Sequence, residues 1–174
     1  LPDRIVQERF SFYGRTLSGQ AELAPRWKRC VAATEAALGE AVGRVYVAAR
    51  FPGDSKQVAL EMIGDIEDAF AASLPLLAWM DPVTRQRALE KKAAVANKIG
   101  YPDQWDTYEG LALSGSFFDQ QLAFARWDTA RDLAKVGKPV DRGEWFMTPP
   151  TVNAYYNPLI NEIVFPAGIL QPPF

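Results

Sequence analysis

Six of the 13 prolines lie in the last 27 residues, Thr148 to Phe174. Proline has no N–H to give and its ring collides with the preceding helical turn, so no long helix can occupy that stretch. The residues between those prolines are β-like instead. Thr151 to Tyr156 and Asn161 to Phe165 are rich in β-branched and aromatic residues, and Asn157-Pro158 between them is a turn signal. The pattern predicts a hairpin, then an extended segment from Pro166 to Phe174. Pro172-Pro173-Phe174 carries neither a helix cap nor a polar tail, so the chain reads as ending inside a domain.

Upstream the period changes to that of helices. The first twenty residues give apolar anchors (Phe10, Phe12, Tyr13, Leu17) among turn-forming glycines. Pro25 can open a helix whose stripe is Trp27, Val31, Thr34 and Leu38, interrupted at Gly39 and resumed to Phe51. Asp54 or Ser55 can cap a second, with Val58, Met62, Ile66, Phe70 and Leu77 in a row and Ile63 and Leu74 beside it. Pro75 should divide it. Asp81-Pro82 starts a third, expected to continue to Ile99 and stop at Gly100. Tyr101 to Gly115 reads as loop with Trp105 and Tyr108 docked. A fourth helix is expected over about Phe117 to Val136, with Phe118, Leu122, Ala125, Leu133 and Val136 on one side.

Composition limits the chemistry. The chain has 174 residues, a net charge of -2 and 48% hydrophobic residues, the balance of a packed protein rather than a disordered one. No apolar run is long enough to span a bilayer, and no signal peptide opens the sequence. Near-neutral charge gives no reason to expect nucleic acid as a partner. There is no histidine and only one cysteine, Cys30. That removes the commonest general base, the commonest zinc ligand and every Ser-His-Asp or Cys-His arrangement from these residues.

Local chemistry leaves each candidate two readings. An asparagine on an accessible strand offers one donor and one acceptor, matching the main chain of an extended peptide, and an open strand edge adds ladder bonds. Asn153 and Ala154 fit that description, yet Asn153 also fits a plain hairpin cap. The segment Ile163 to Leu170 is either core or the wall of an apolar pocket. Cys30 could be a reactive thiol, but with no histidine to activate it the favoured reading is a buried structural cysteine or half of a disulfide to a residue outside this sequence. The acidic group Glu61, Asp65, Glu67 and Asp68 and the basic group Arg85, Arg87, Lys91 and Lys92 read as solvated helix faces.

Taken together, Val152-Asn153-Ala154-Tyr155-Tyr156-Asn157-Pro158 and Asn161-Glu162-Ile163-Val164-Phe165-Pro166-Ala167-Gly168-Ile169-Leu170-Gln171-Pro172-Pro173-Phe174 closely resemble the neprilysin family of zinc metalloendopeptidases. That group includes the endothelin-converting enzymes and bacterial oligopeptidases. Pro25 to Cys30, Trp79-Met80-Asp81, Lys98 to Asp103 and Pro139 to Arg142 agree in order and spacing, so the resemblance covers nearly the whole chain.

The resemblance implies a fold: mainly α, a helical bundle segment followed by a C-terminal β-hairpin that begins a thermolysin-like α+β catalytic domain. It places the end of a helical accessory domain at residues 1–105 and the start of the catalytic domain at 106–174. It implies Zn2+ in the intact enzyme, held by an H-E-x-x-H helix and a later glutamate outside these residues, so that none is expected on this chain and no catalytic residue lies in it. It implies that Asn153 and the Ala154 carbonyl hold the substrate backbone. Ile169 and Phe174 then help line the apolar pocket for the side chain after the scissile bond. It implies short-peptide substrates, admitted by a helical domain that covers the site, and an extracytoplasmic location. Cys30 matches a family cysteine often paired with an earlier residue. The alternative is a non-catalytic helical interaction module derived from the same family.

Overall fold

The computed structural model describes residues 2–172, so Phe174 lies outside the described residues. The chain divides after Ala36 into two compact units. The first holds α1 (Asp3–Arg9), a run of wider π-type turns over Phe10–Leu17 and the start of α2 (Arg26–Arg50). The Thr16 and Ser18 hydroxyls donate to the carbonyls of Ser11 and Tyr13, five residues back, which is the spacing of a π turn. Gly14 makes room there: a Cβ would lie 2.4 Å from the Phe10 ring.

Helix α2 loses helical geometry at Leu38 (φ −122°, ψ 42°), beside the glycine expected to interrupt it. The break frees an amide, and the Glu40 N–H donates to the Tyr108 hydroxyl at 3.0 Å. The Glu40 carboxylate in turn accepts from the Asp106 N–H. Trp105 stacks on Tyr101 with centroids 5.8 Å apart, so both expected aromatic anchors of this loop are docked.

Helix α3 (Ser55–Ser73) gives way to a 3-10 turn over Leu74–Leu76, where Pro75 requires it. Its buried face is not the expected stripe. Val58, Ile66 and Phe70 are exposed, whereas Ala59 and Ile63, with Leu60 partly buried, pack on the sheet. The helix is apolar over more than one face, and the side carrying Ala59 and Ile63 is the one that meets the sheet.

Asp81 caps α4 (Pro82–Ala93): its Oδ1 accepts from the N–H groups of Val83 and Thr84, each at 2.9 Å. The Thr84 hydroxyl and N–H hold this carboxyl below its ordinary range. The helix does not reach Ile99. It ends at Ala93, and Ala96–Gly100 form a strand, β1, aligned parallel with residues more than sixty positions later. Long-range pairing overrides the helix-forming composition here. Gly100 does end the element, at φ 79° with its would-be Cβ 2.7 Å from the Phe51 ring.

Helix α5 (Phe117–Leu133) opens on a reciprocal box in which Ser116 and Asp119 each bond the other's main chain. The expected inner stripe faces out: Phe118, Leu133 and Val136 are each about two-thirds exposed or more. Contact comes from the other side, where the Trp127 indole donates to the Glu109 carbonyl and Arg131 pairs with Asp106.

The hairpin forms as expected from Asn157-Pro158, with strands β2 (Tyr155–Asn157) and β3 (Glu162–Pro166) antiparallel. With β1 they make a sheet of order β1-β3-β2, β3 in the middle. Ile99, Ile163 and Phe165 face α3. The opposite face carries Glu162, fully buried Val164 and Pro166, and is covered by the segment from Glu144 to Pro150.

Candidate functional site

Strand β2 sits at the sheet edge. Its one partner among the described residues is β3, so the other side of Tyr155–Asn157 carries no strand. Val152 is 76% exposed and Asn153 is exposed. The Asn153 Oδ1 accepts from the Ala154 N–H at 2.8 Å, which fixes the amide plane. Among the described residues its Nδ2 donates to nothing, leaving a free donor at the edge.

The turn after β3 carries Ile169, half-buried, whose N–H donates to the Pro166 carbonyl. Gly168 is the contact that brings this turn to the strand approach. Its N–H donates to the Pro149 carbonyl at 2.7 Å, and a Cβ would lie 2.4 Å from the Pro150 carbonyl oxygen and 2.7 Å from that of Thr151. Asn153 and Ala154 therefore lie two and three residues beyond a chain segment that touches the turn holding Ile169. The Ile163–Leu170 segment is largely core: Val164 and Ala167 are fully buried, and Ile163, Phe165 and Leu170 pack on Ile99, Ala59 and Ile63.

Behind the edge lies a buried polar cluster that sequence reading missed. Glu162, only 1% exposed, pairs with the Lys98 ammonium of β1 at 2.6 Å. Lys98 also donates to the Glu144 carbonyl at 2.8 Å. The Tyr155 hydroxyl donates to the other Glu162 oxygen at 3.3 Å and accepts from the Phe146 N–H at 3.2 Å. Burial above all, with the Glu162 charge adding to it, raises the Tyr155 pKa against the pull of that N–H. One signal existed in the sequence: Glu162 shares its strand face with Val164 and Pro166, and a charge in that phase demands a partner.

A cavity of about 1150 Å³ runs along β1 rather than β2. Its wall is strongly charged, with three ion pairs along it (Lys56–Asp103, Arg131–Asp106, Lys135–Glu144), unlike an apolar pocket with a few converging polar groups. A smaller one of about 250 Å³ lies between Leu170 and the first turns of α3, lined by Val58, Ala59 and Met62. Cys30 is exposed, so it is not a buried structural thiol. Asp68 and Glu67 of the acidic group are tied to Lys92 and Asn97. Among the described residues no three of His, Cys, Asp and Glu converge as a metal site.

Residues 1–102 match the model of peptidase family M13. The chain belongs to peptidase family M13. This M13 chain is 45% identical over 158 residues to endothelin-converting enzyme 1 of Bos taurus, a match covering 86% of the chain and 21% of that protein. Against neprilysin-3 of Drosophila melanogaster it is 40% identical over 156 residues, covering 85% of the chain and 20% of that protein. Its fold is similar to that of the Mycobacterium tuberculosis zinc metalloprotease Zmp1 solved with an inhibitor. There the TM-score is 0.87 and the identity 48%, covering 98% of this chain and 26% of that one. PepO from Lactobacillus rhamnosis HN001 is similar at TM-score 0.86 and 32% identity, covering 93% and 26%. The M13 chain thus spans about a fifth of the length of its curated relatives, and its neprilysin-like, mainly helical character agrees with the expectation from its motifs.

Proposed function

We propose that the intact protein is a zinc-dependent endopeptidase acting on short peptides, and that this chain supplies the strand that holds the substrate backbone. The observation that carries the reading is the open edge of β2, with Asn153 exposed just ahead of it and its Nδ2 unbonded among the described residues. An extended peptide laid along that edge would take main-chain bonds from the strand and amide bonds from Asn153, without regard to its sequence. Ala154 contributes its carbonyl. Ile169 and Phe174 contribute part of the apolar pocket for the side chain after the scissile bond. Asn153 and Ala154 hold the substrate backbone extended along the edge.

Among the described residues no three of His, Cys, Asp and Glu come together as a donor set for zinc, and the sequence has no histidine and a single cysteine. The metal, which would activate a water for attack on the peptide carbonyl, is proposed to be held elsewhere in the polypeptide. Membership of M13 supports this, as does similarity to a zinc metalloprotease over a quarter of its length. The exposed stripes support a larger whole. Burying Val58, Ile66, Phe70, Phe118 and Leu133 would contribute on the order of 10 kcal/mol, comparable with the net stability of an ordinary domain. We read residues 1–105 as accessory domain, limiting access to short peptides, and 106–174 as the start of the catalytic domain. We place the protein outside the cytoplasm, and the partner of Cys30 elsewhere in the polypeptide. No helix among the described residues is long and apolar enough to cross a membrane.

Zinc analysis with a quenched fluorescent peptide tests this reading. The intact protein is expected to carry stoichiometric zinc and cleave the peptide, and the isolated chain to do neither. An intact protein without zinc or turnover, or an isolated chain with both, contradicts it.

A further inference from the structure

Strand β2 has only three residues in its ladder, all paired to β3. So short an edge is weakly held by its main chain alone. What holds it further is Tyr155. Its hydroxyl is pinned between the Phe146 N–H and Glu162, and Glu162 is in turn held by Lys98 on the opposite edge strand. A tilt of β2 away from β3 breaks the hydroxyl contacts and opens water to a carboxylate that is 1% exposed.

A buried ion pair is a poor device for stability alone, because apolar residues of the same volume serve as well or better. Its distinctive use is to fix one arrangement among several similar ones. Here that arrangement is the height of Ala154 and Asn153, the residues one and two positions before Tyr155.

We propose that Tyr155, Glu162 and Lys98 are positioning residues for peptide binding: a buried relay across the sheet that sets the free edge of β2 at the height where Asn153 and Ala154 meet an extended peptide backbone. The inference rests on the peptide-edge reading above. The relay touches no substrate, and acts through the strand it anchors.

The test uses the intact protein and an internally quenched peptide with an apolar residue after the scissile bond. Tyr155→Phe keeps the ring and removes the hydroxyl. Because backbone contacts are made alike in ground and transition state, KM should rise about three- to tenfold with kcat within about twofold. The second variant pairs Glu162→Leu with Lys98→Met, which removes the relay without leaving a lone buried charge. It should keep most of the parent's stability and still show the raised KM, a combination that a merely structural role would not produce. Unchanged KM in both Tyr155→Phe and the Leu/Met variant overturns the inference. Should the Leu/Met variant fail to fold, Tyr155→Phe decides alone. Asn153→Ala separates the two levels: if it raises KM while the relay variants do not, only the positioning role fails. If Asn153→Ala itself leaves KM unchanged, the peptide-edge reading fails.

Discussion

Gly168 and Pro150 approach so closely that a Cβ on Gly168 would lie 2.4 Å from the Pro150 carbonyl oxygen. Both atoms in that contact belong to backbone or to a fixed Cβ position, so neither can rotate away. Gly168→Ala is therefore expected to push the Pro149–Thr151 segment outward and cost about 1–3 kcal/mol by urea denaturation. Because that segment leads directly into Asn153, peptide turnover by the intact protein should fall with it.

Lys98→Met alone should be far more damaging than the paired replacement of Lys98 and Glu162. It leaves the Glu162 carboxylate buried without its cation, and breaking one side of a buried pair costs about 3–5 kcal/mol. Denaturation curves of the single and double variants check this. The double variant should recover most of the loss.

The sequence made legible whatever is decided locally. Asp81-Pro82 named the start of α4, Pro75 the end of α3, and Asn157-Pro158 the hairpin. Ala96–Gly100 was illegible because its strand state comes from parallel pairing to β3 and not from any alternation of its own. The faces of α3 and α5 were misread for a related reason: periodicity shows that a helix has an apolar side, not which neighbour covers it. Asn153 and Ala154 were ambiguous by local chemistry and stood out only through the longer motif around them. Lys98, a surface-type residue by composition, joins the buried polar cluster only because the sheet brings it to Glu162.

The Asp81 cap makes stability depend on acid. Its pKa is lowered in the folded chain, chiefly by the Thr84 hydroxyl, so the folded form favours the charged carboxylate. That contribution is fully present above the unfolded value of 3.8 and is lost as pH falls through the lower, folded value. Asp81→Ala should lower the melting temperature at neutral pH, and the gap from the parent should narrow as the pH is taken below 3.8. Thermal scans across that range check it. A gap that stays constant would remove the cap from the account.

Asn153→Ala in the intact protein is the most direct test of the peptide-holding edge. The side chain is exposed and supports no core contact, so folding should be unaffected. If its amide holds the substrate backbone, kcat/KM on a quenched peptide should fall by a factor of about 5 to 150, the equivalent of about 1–3 kcal/mol for partners left unsatisfied. A folded Asn153→Ala protein that cleaves the peptide at the parent rate would contradict the account.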